Sequence, residues 1–100
     1  MHFIYVLKSV KTHKLYIGST SDLKKRFLEH NNGESRYTKH GLPWKLIYYE
    51  SYLSRKDALK REEQLKTYKS AYGFLKKRII HSLSLIEPKK RGEIEIGDEA

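Results

Sequence analysis

Two short runs near the N-terminus constrain this chain more than any other feature. HFIYVLKSV (residues 2–10) and KLYIGST (residues 14–20) are rich in β-branched and aromatic residues, and a brief polar stretch around Lys11 to His13 separates them. Such a pair reads as a β-hairpin. The chain then changes period at once. STSDLKKRFLEHNNG offers Ser or Thr as a cap ahead of the acidic first-turn residue Asp22 and sets Leu23 and Phe27 four apart. It halts at Asn31-Asn32-Gly33, so a helix capped at both ends is predicted.

Residues 34–43 (ESRYTKHGLP) are polar and predict a loop, and WKLIYYESYL after Pro43 predicts a third strand. SRKDALKREEQLKTYK starts at Ser54 as a cap, with Asp57 three residues on, and is made of strong helix formers. SAYGFLKKRIIHSL predicts one shorter helix with Ser70 as its cap. The order ββαβαα is that of an α+β fold, a small antiparallel sheet covered by helices, because each amphipathic helix needs an apolar face to lie on.

With 100 residues there is room for one core. Residues 1–87 hold 18 basic and 8 acidic side chains, whereas residues 88–100 (PKKRGEIEIGDEA) hold 3 and 4 and lack any packing period. The expected organisation is therefore a folded domain over 1–87 and a flexible tail over 88–100. A net charge of +9 points to a polyanionic partner. The lack of cysteine removes disulfides, thiolate zinc sites, iron–sulfur clusters and a cysteine nucleophile. No apolar run is long enough to cross a bilayer, and Lys8 interrupts the start too early for a signal-peptide core, so a soluble, cytoplasmic protein without a membrane partner is expected.

Several residues break local rules. Glu62 falls between Ala58, Leu59 and Leu65 on a helical wheel, which sets a carboxylate within the apolar stripe of its helix. An inward carboxylate requires a partner or a metal; a salt bridge to Lys66 at the next turn, or exposure at the stripe's edge, satisfies the pattern equally well. Arg26 and His30 are four apart and reach one point in space, although Lys24, Lys25 and Arg26 also read as a solvated basic face. Tyr5 and Tyr16 occupy the two hairpin strands, as cross-strand neighbours or simply as core residues. The five histidines form no metal-binding pair, and there is no Gly-rich phosphate loop, nucleophile elbow or paired-carboxylate motif. Phosphodiester chemistry is what the charge leaves open.

Taken together, Ile4-Tyr5-Val6 and Tyr16-Ile17-Gly18, followed by Thr20, Asp22-Leu23, Arg26 and His30, resemble the GIY-YIG nuclease domain, which also stands at the N-terminus of an excision-repair endonuclease and in homing endonucleases. Tyr37-Thr38, Pro43-Trp44-Lys45-Leu46 and Ala58 to Lys66 (ALKREEQLK) extend the likeness, to the small stand-alone bacterial members, over roughly residues 2–80. The first motif reads Phe3-Ile4-Tyr5, without the glycine of the family's name.

The resemblance implies a three-stranded antiparallel sheet flanked by helices, and hydrolysis of nucleic-acid phosphodiester bonds with one divalent cation, Mg2+ or Mn2+. By motif, Glu62 would be the metal ligand, Arg26 would contact the scissile phosphate, and Tyr5 with Tyr16 would orient or deprotonate the attacking water. His30 would support them, Gly18 would permit close backbone approach, and Thr20 would fix the turn into the helix. Lys14, Lys24, Lys25, Tyr37, Lys39 and Lys66 are the expected nucleic-acid contacts. DNA is favoured over RNA, with a non-catalytic nucleic-acid-binding module as the alternative function. One carboxylate grips a cation weakly, so metal is expected to bind mainly with substrate.

Overall fold

In the computed structural model, which describes residues 1–85, β1 (His2–Ser9) and β2 (Leu15–Thr20) form the expected antiparallel hairpin, with Tyr5 opposite Gly18 and Val6 opposite Ile17. β3 (Trp44–Tyr52) pairs antiparallel with the other side of β1, so the sheet order is β2-β1-β3. The hairpin's first strand is thus central and covered on both faces. That is why IYVL reads as an unbroken apolar run: Ile4, Val6 and Leu7 have no exposed surface, and Tyr5 is 2% exposed.

Because β2 and β3 lie on opposite edges, the chain between them must cross β1, and α1 (Leu23–Asn31) makes that crossing on one face. Here Tyr5, Leu7 and Trp44 form the core, joined by Tyr16, Leu23 and Phe27. The capping side chain is Asp22 itself, which accepts from Lys25 N at 3.1 Å, rather than a preceding Ser or Thr. A carboxylate at that place satisfies a first-turn N–H and also suits the positive helix end. The helix stops at Asn32, and Gly33 follows at φ +75°, a conformation that glycine adopts without strain. The loop holds one short 3-10 turn, Lys39–Gly41.

α2 (Arg55–Thr67) returns across the opposite face, capped as expected by Ser54, which accepts from Lys56 N. Ile4, Val6, Ile17, Ala58, Leu65, Leu75 and Ile79 form the second core. α2 buries only two apolar side chains, Ala58 and Leu65, the larger contributing roughly 1.5–3 kcal/mol. Its attachment is reinforced by Arg61, which grips Glu50 of β3 through Nε at 2.9 Å and a second nitrogen at 3.0 Å. Tyr48 and Tyr52 donate to the same carboxylate. Burial by itself raises the Glu50 pKa, but the bonds from Arg61, Tyr48 and Tyr52 outweigh it and hold the group below the usual carboxylate range.

The last predicted helix is two. α3 (Lys69–Arg78) and α4 (Ile80–Ser84) are separated at Ile79, and α3 has no side-chain cap, because Tyr68 holds the N-cap place and Ser70 is already inside the helix. The break lets Ile79 turn into the core at 6% exposure. The expected tail, residues 88–100, lies outside the described residues, as do residues 86–87.

Candidate active site at the edge of β2

The side-chain alternation of the hairpin sends Tyr5 and Gly18 to the α1 face and Ser19 to the α2 face. Gly18 is the opening that makes the site. A Cβ there would lie 2.5 Å from the Tyr5 hydroxyl, 2.6 Å from Tyr5 Cζ and 3.1 Å from Tyr16 Cε2, so the phenol tip occupies the space a side chain would take. The close approach expected of Gly18 is thus one of side chain to backbone, at an ordinary strand conformation.

From above, α1 delivers His30 and Arg26, one turn apart. His30 is fully buried and both its ring nitrogens are engaged, Nε2 with the Tyr5 hydroxyl at 2.8 Å and Nδ1 with Thr38 Oγ1 at 2.8 Å. Thr38 is itself fully buried in the loop, and its backbone oxygen accepts from Trp44 Nε1 at 2.7 Å. Burial, assisted by the Arg26 charge, drives the His30 pKa down to about 4, so the imidazole is neutral. Burial also pushes the Tyr5 hydroxyl up to about 12, despite the relief from the neighbouring Arg26 guanidinium. Arg26 is steadied by Glu29 at 3.0 Å on its own helix. The Tyr16 ring packs edge-on against His30, with centroids 5.0 Å apart, and lies 6.3 Å from the Tyr5 ring.

From below, α2 brings Glu62 to the same edge. One oxygen of its half-buried carboxylate accepts from Ser19 Oγ at 2.7 Å and the other from Lys66 Nζ at 2.6 Å. The salt bridge anticipated from the helical wheel is therefore present. Lys66 also lies over the Tyr16 ring at 5.9 Å, and the Glu62 charge acts on Tyr5, which ties the lower half to the upper. Thr20 performs the expected turn, its Oγ1 accepting from Asp22 N at 3.1 Å and donating to the Asp22 carbonyl.

Tyr5, Tyr16, Arg26 and His30 thus form one cluster on the α1 face beside Gly18, and Glu62, bonded to the next strand residue Ser19, is joined to it through Lys66 over the Tyr16 ring. The other expected nucleic-acid contacts lie elsewhere. Lys24 and Lys25 border a shallow groove on the outer side of α1 together with Asp22, Glu29 and Glu34. Lys14 lies toward Lys8, Lys76 and Leu83 at the far end of β2. Tyr37 is 78% exposed beside Arg36, and Lys39 is exposed on the 3-10 turn. Ser19 is the partner that sequence reasoning missed. Its signal, a strand residue one step past the glycine, acquires meaning once α2 is known to pass beneath it.

Among the described residues there is no cluster of three or more acidic, histidine or cysteine side chains to enclose a metal. A lone carboxylate with two of its lone pairs taken fits a cation that keeps most of its waters, as Mg2+ does, and fits no closed cage.

Residues 1–77 match the GIY-YIG catalytic domain, and the chain belongs to this nuclease-type family. Its similar relatives include a UPF0213 protein of Staphylococcus saprophyticus, 43% identical over 68 residues that span 67% of this chain and 82% of the relative. A UPF0213 protein of Staphylococcus aureus is 41% identical over the same shares. The solution NMR structure of a UPF0213 protein from Bacillus halodurans has the same fold, with a TM-score of 0.51 and 22% identity over 83% of this chain and 92% of that one.

Proposed function

We propose that this protein is a divalent-metal-dependent endonuclease that hydrolyses phosphodiester bonds in DNA, in repair or processing, using one Mg2+ or Mn2+ ion that arrives with the substrate. The observation that carries this reading is the pairing of a phenol and a guanidinium beside Gly18 with a carboxylate from a third element bonded to the next strand residue, Ser19. Glu62 would hold the ion, which when bound would neutralise the phosphate and stabilise the leaving oxygen.

The remaining work falls to the chain. Arg26 offers a preorganised fork of donors to the phosphate oxygens as charge develops on them. With Tyr5 held near 12, a standing phenolate does not supply the base. A relay does: the water oxygen bonds to phosphorus, its proton passes to the Tyr5 oxygen, the Tyr5 proton moves to His30 Nε2, and the phosphorus–oxygen bond of the leaving group breaks. The Thr38 hydroxyl points to the Ser35 carbonyl at 3.5 Å, which favours the tautomer in which Nδ1–H donates to Thr38 and Nε2 accepts from Tyr5. The low His30 pKa then returns the proton through Tyr5, from which it passes to the leaving oxygen.

Supercoiled plasmid with Mg2+ or Mn2+, compared between the wild type and Glu62→Gln, tests the reading. Metal-dependent nicking that falls at least a hundredfold in the variant supports it. A second reading, binding without cleavage, draws on the occupied state of the Glu62 carboxylate. Nicking that is absent, or equal in both proteins, favours that reading and overturns the first.

A further inference from the structure

On the α2 side of the edge, one step past the catalytic groups, a polar pocket of about 470 Å³ opens between the ends of the strands and the first turn of α2, lined by His2, Ser19, Thr20, Ser21, Arg55 and the Ala58–Leu59 step. It adjoins Glu62 on two sides. Ser19, which forms its wall, donates to the Glu62 carboxylate, and Ala58 lies one helical turn before Glu62. The Ser21 hydroxyl, an imidazole and an exposed guanidinium are among its lining groups, beside Ser19 and Thr20, whose hydroxyls are bonded to Glu62 and Asp22, and no carboxylate lines it. That chemistry disfavours a cation, which needs anionic oxygens, and disfavours a stacked base, which needs a flat apolar ring. It suits a tetrahedral oxyanion with several acceptors to satisfy.

We infer that this pocket is a second phosphate subsite, holding the phosphodiester group next to the one that is cut. The inference rests on the nuclease reading for its place in the strand's path. A strand whose scissile phosphate lies at Glu62 and Arg26 would pass Ser19 and lay its next phosphate between Arg55 and the Ser21 hydroxyl. Two fixed phosphates define a direction along β2, where one allows the strand to swivel. This domain therefore aligns its substrate by the backbone rather than by reading bases.

The test is binding of a fluorescent 12-nucleotide DNA strand without divalent metal, over a series of salt concentrations. Arg55 is exposed at the first position of α2, so Arg55→Gln leaves the core untouched. Lys11→Gln, at the opposite end of the hairpin, removes the same charge as a control. Loss of one phosphate contact lowers the salt slope by about one and weakens binding about tenfold at low salt, while Lys11→Gln changes affinity less than twofold. Ser21→Ala weakens binding in the same direction by a smaller factor. Arg55→Gln matching Lys11→Gln in slope and affinity overturns the subsite even where the wild type nicks plasmid. The expected slope change in a protein that does not nick upholds the subsite and removes only the catalytic reading.

Discussion

The two faces of the sheet hold the two halves of the site in opposite ways. On the α1 side, Tyr5, His30 and Thr38 form a closed chain of neutral hydrogen bonds with no exposed surface at His30 or Thr38. On the α2 side, Glu62 and Lys66 form an ionic pair in which the lysine side chain is 49% exposed. The first arrangement is expensive to disturb, since each buried group left without its partner costs about 1–3 kcal/mol. The second is cheap to disturb, an exposed pair of this kind being worth roughly 0.3–0.5 kcal/mol. On the proposed reading this is a division of labour: the groups that would aim the water are locked, and the group that would accept a cation is held by an exposed partner that costs little to displace.

Acid provides the largest break. The folded His30 value of about 4 lies below its ordinary 6.5, so the unfolded chain takes up a proton that the native state refuses. Stability is therefore full above about pH 6.5 and falls toward pH 4 by about 3 kcal/mol in all. Denaturant melts at pH 7 and pH 4.5 are expected to show this loss, and His30→Gln, which does not titrate, is expected to flatten the dependence. An unchanged midpoint in the wild type would mean that the upper half is not closed.

Filling the opening is next in size. Gly18→Ala puts a methyl group 2.5 Å from the Tyr5 hydroxyl, which lowers stability by about 2 kcal/mol in the same melts and displaces the phenol. Cleavage is expected to fall at least a hundredfold, and a variant with normal stability and activity would show that Tyr5 does not need this space.

The smallest stability effect, under about 0.5 kcal/mol, belongs to Lys66→Gln. Removing the cation that occupies Glu62 is nonetheless expected to raise Mn2+ affinity of the free protein at least threefold, read by water-proton relaxation. Equal Mn2+ binding in the two proteins would show that Lys66 does not compete for the carboxylate.

Much of the framework was legible in the chain because its signals are local. The hairpin runs, the Ser54 cap and the Asn31-Asn32-Gly33 stop each act over a few residues, and all appear where expected. The helix beginning at residue 69 was less legible, since nothing local announces the break at Ile79; it follows from that residue's burial against a sheet formed far away in sequence. The register of β3 is another case. Val6 faces Tyr48 and Leu7 faces Leu46, so an irregularity at Ile47 lets Ile47 and Tyr48 both pack toward the α2 side while Leu46 and Trp44 serve the α1 side. WKLIYYESY does not by itself reveal which residue is extra.

The site divides along the same line. Sequence alone placed Tyr5 and Tyr16 on paired strands, His30 one turn beyond Arg26, and Glu62 within an apolar stripe, because strand alternation and helical pitch are properties of the backbone. Tertiary structure decided that Glu62 meets Ser19, that Tyr5 fills the space above Gly18, and that His2 and Arg55 close a pocket beside them. Those contacts join residues many positions apart, and their geometry is set by how two helices pack on opposite faces of one sheet, which no local period encodes.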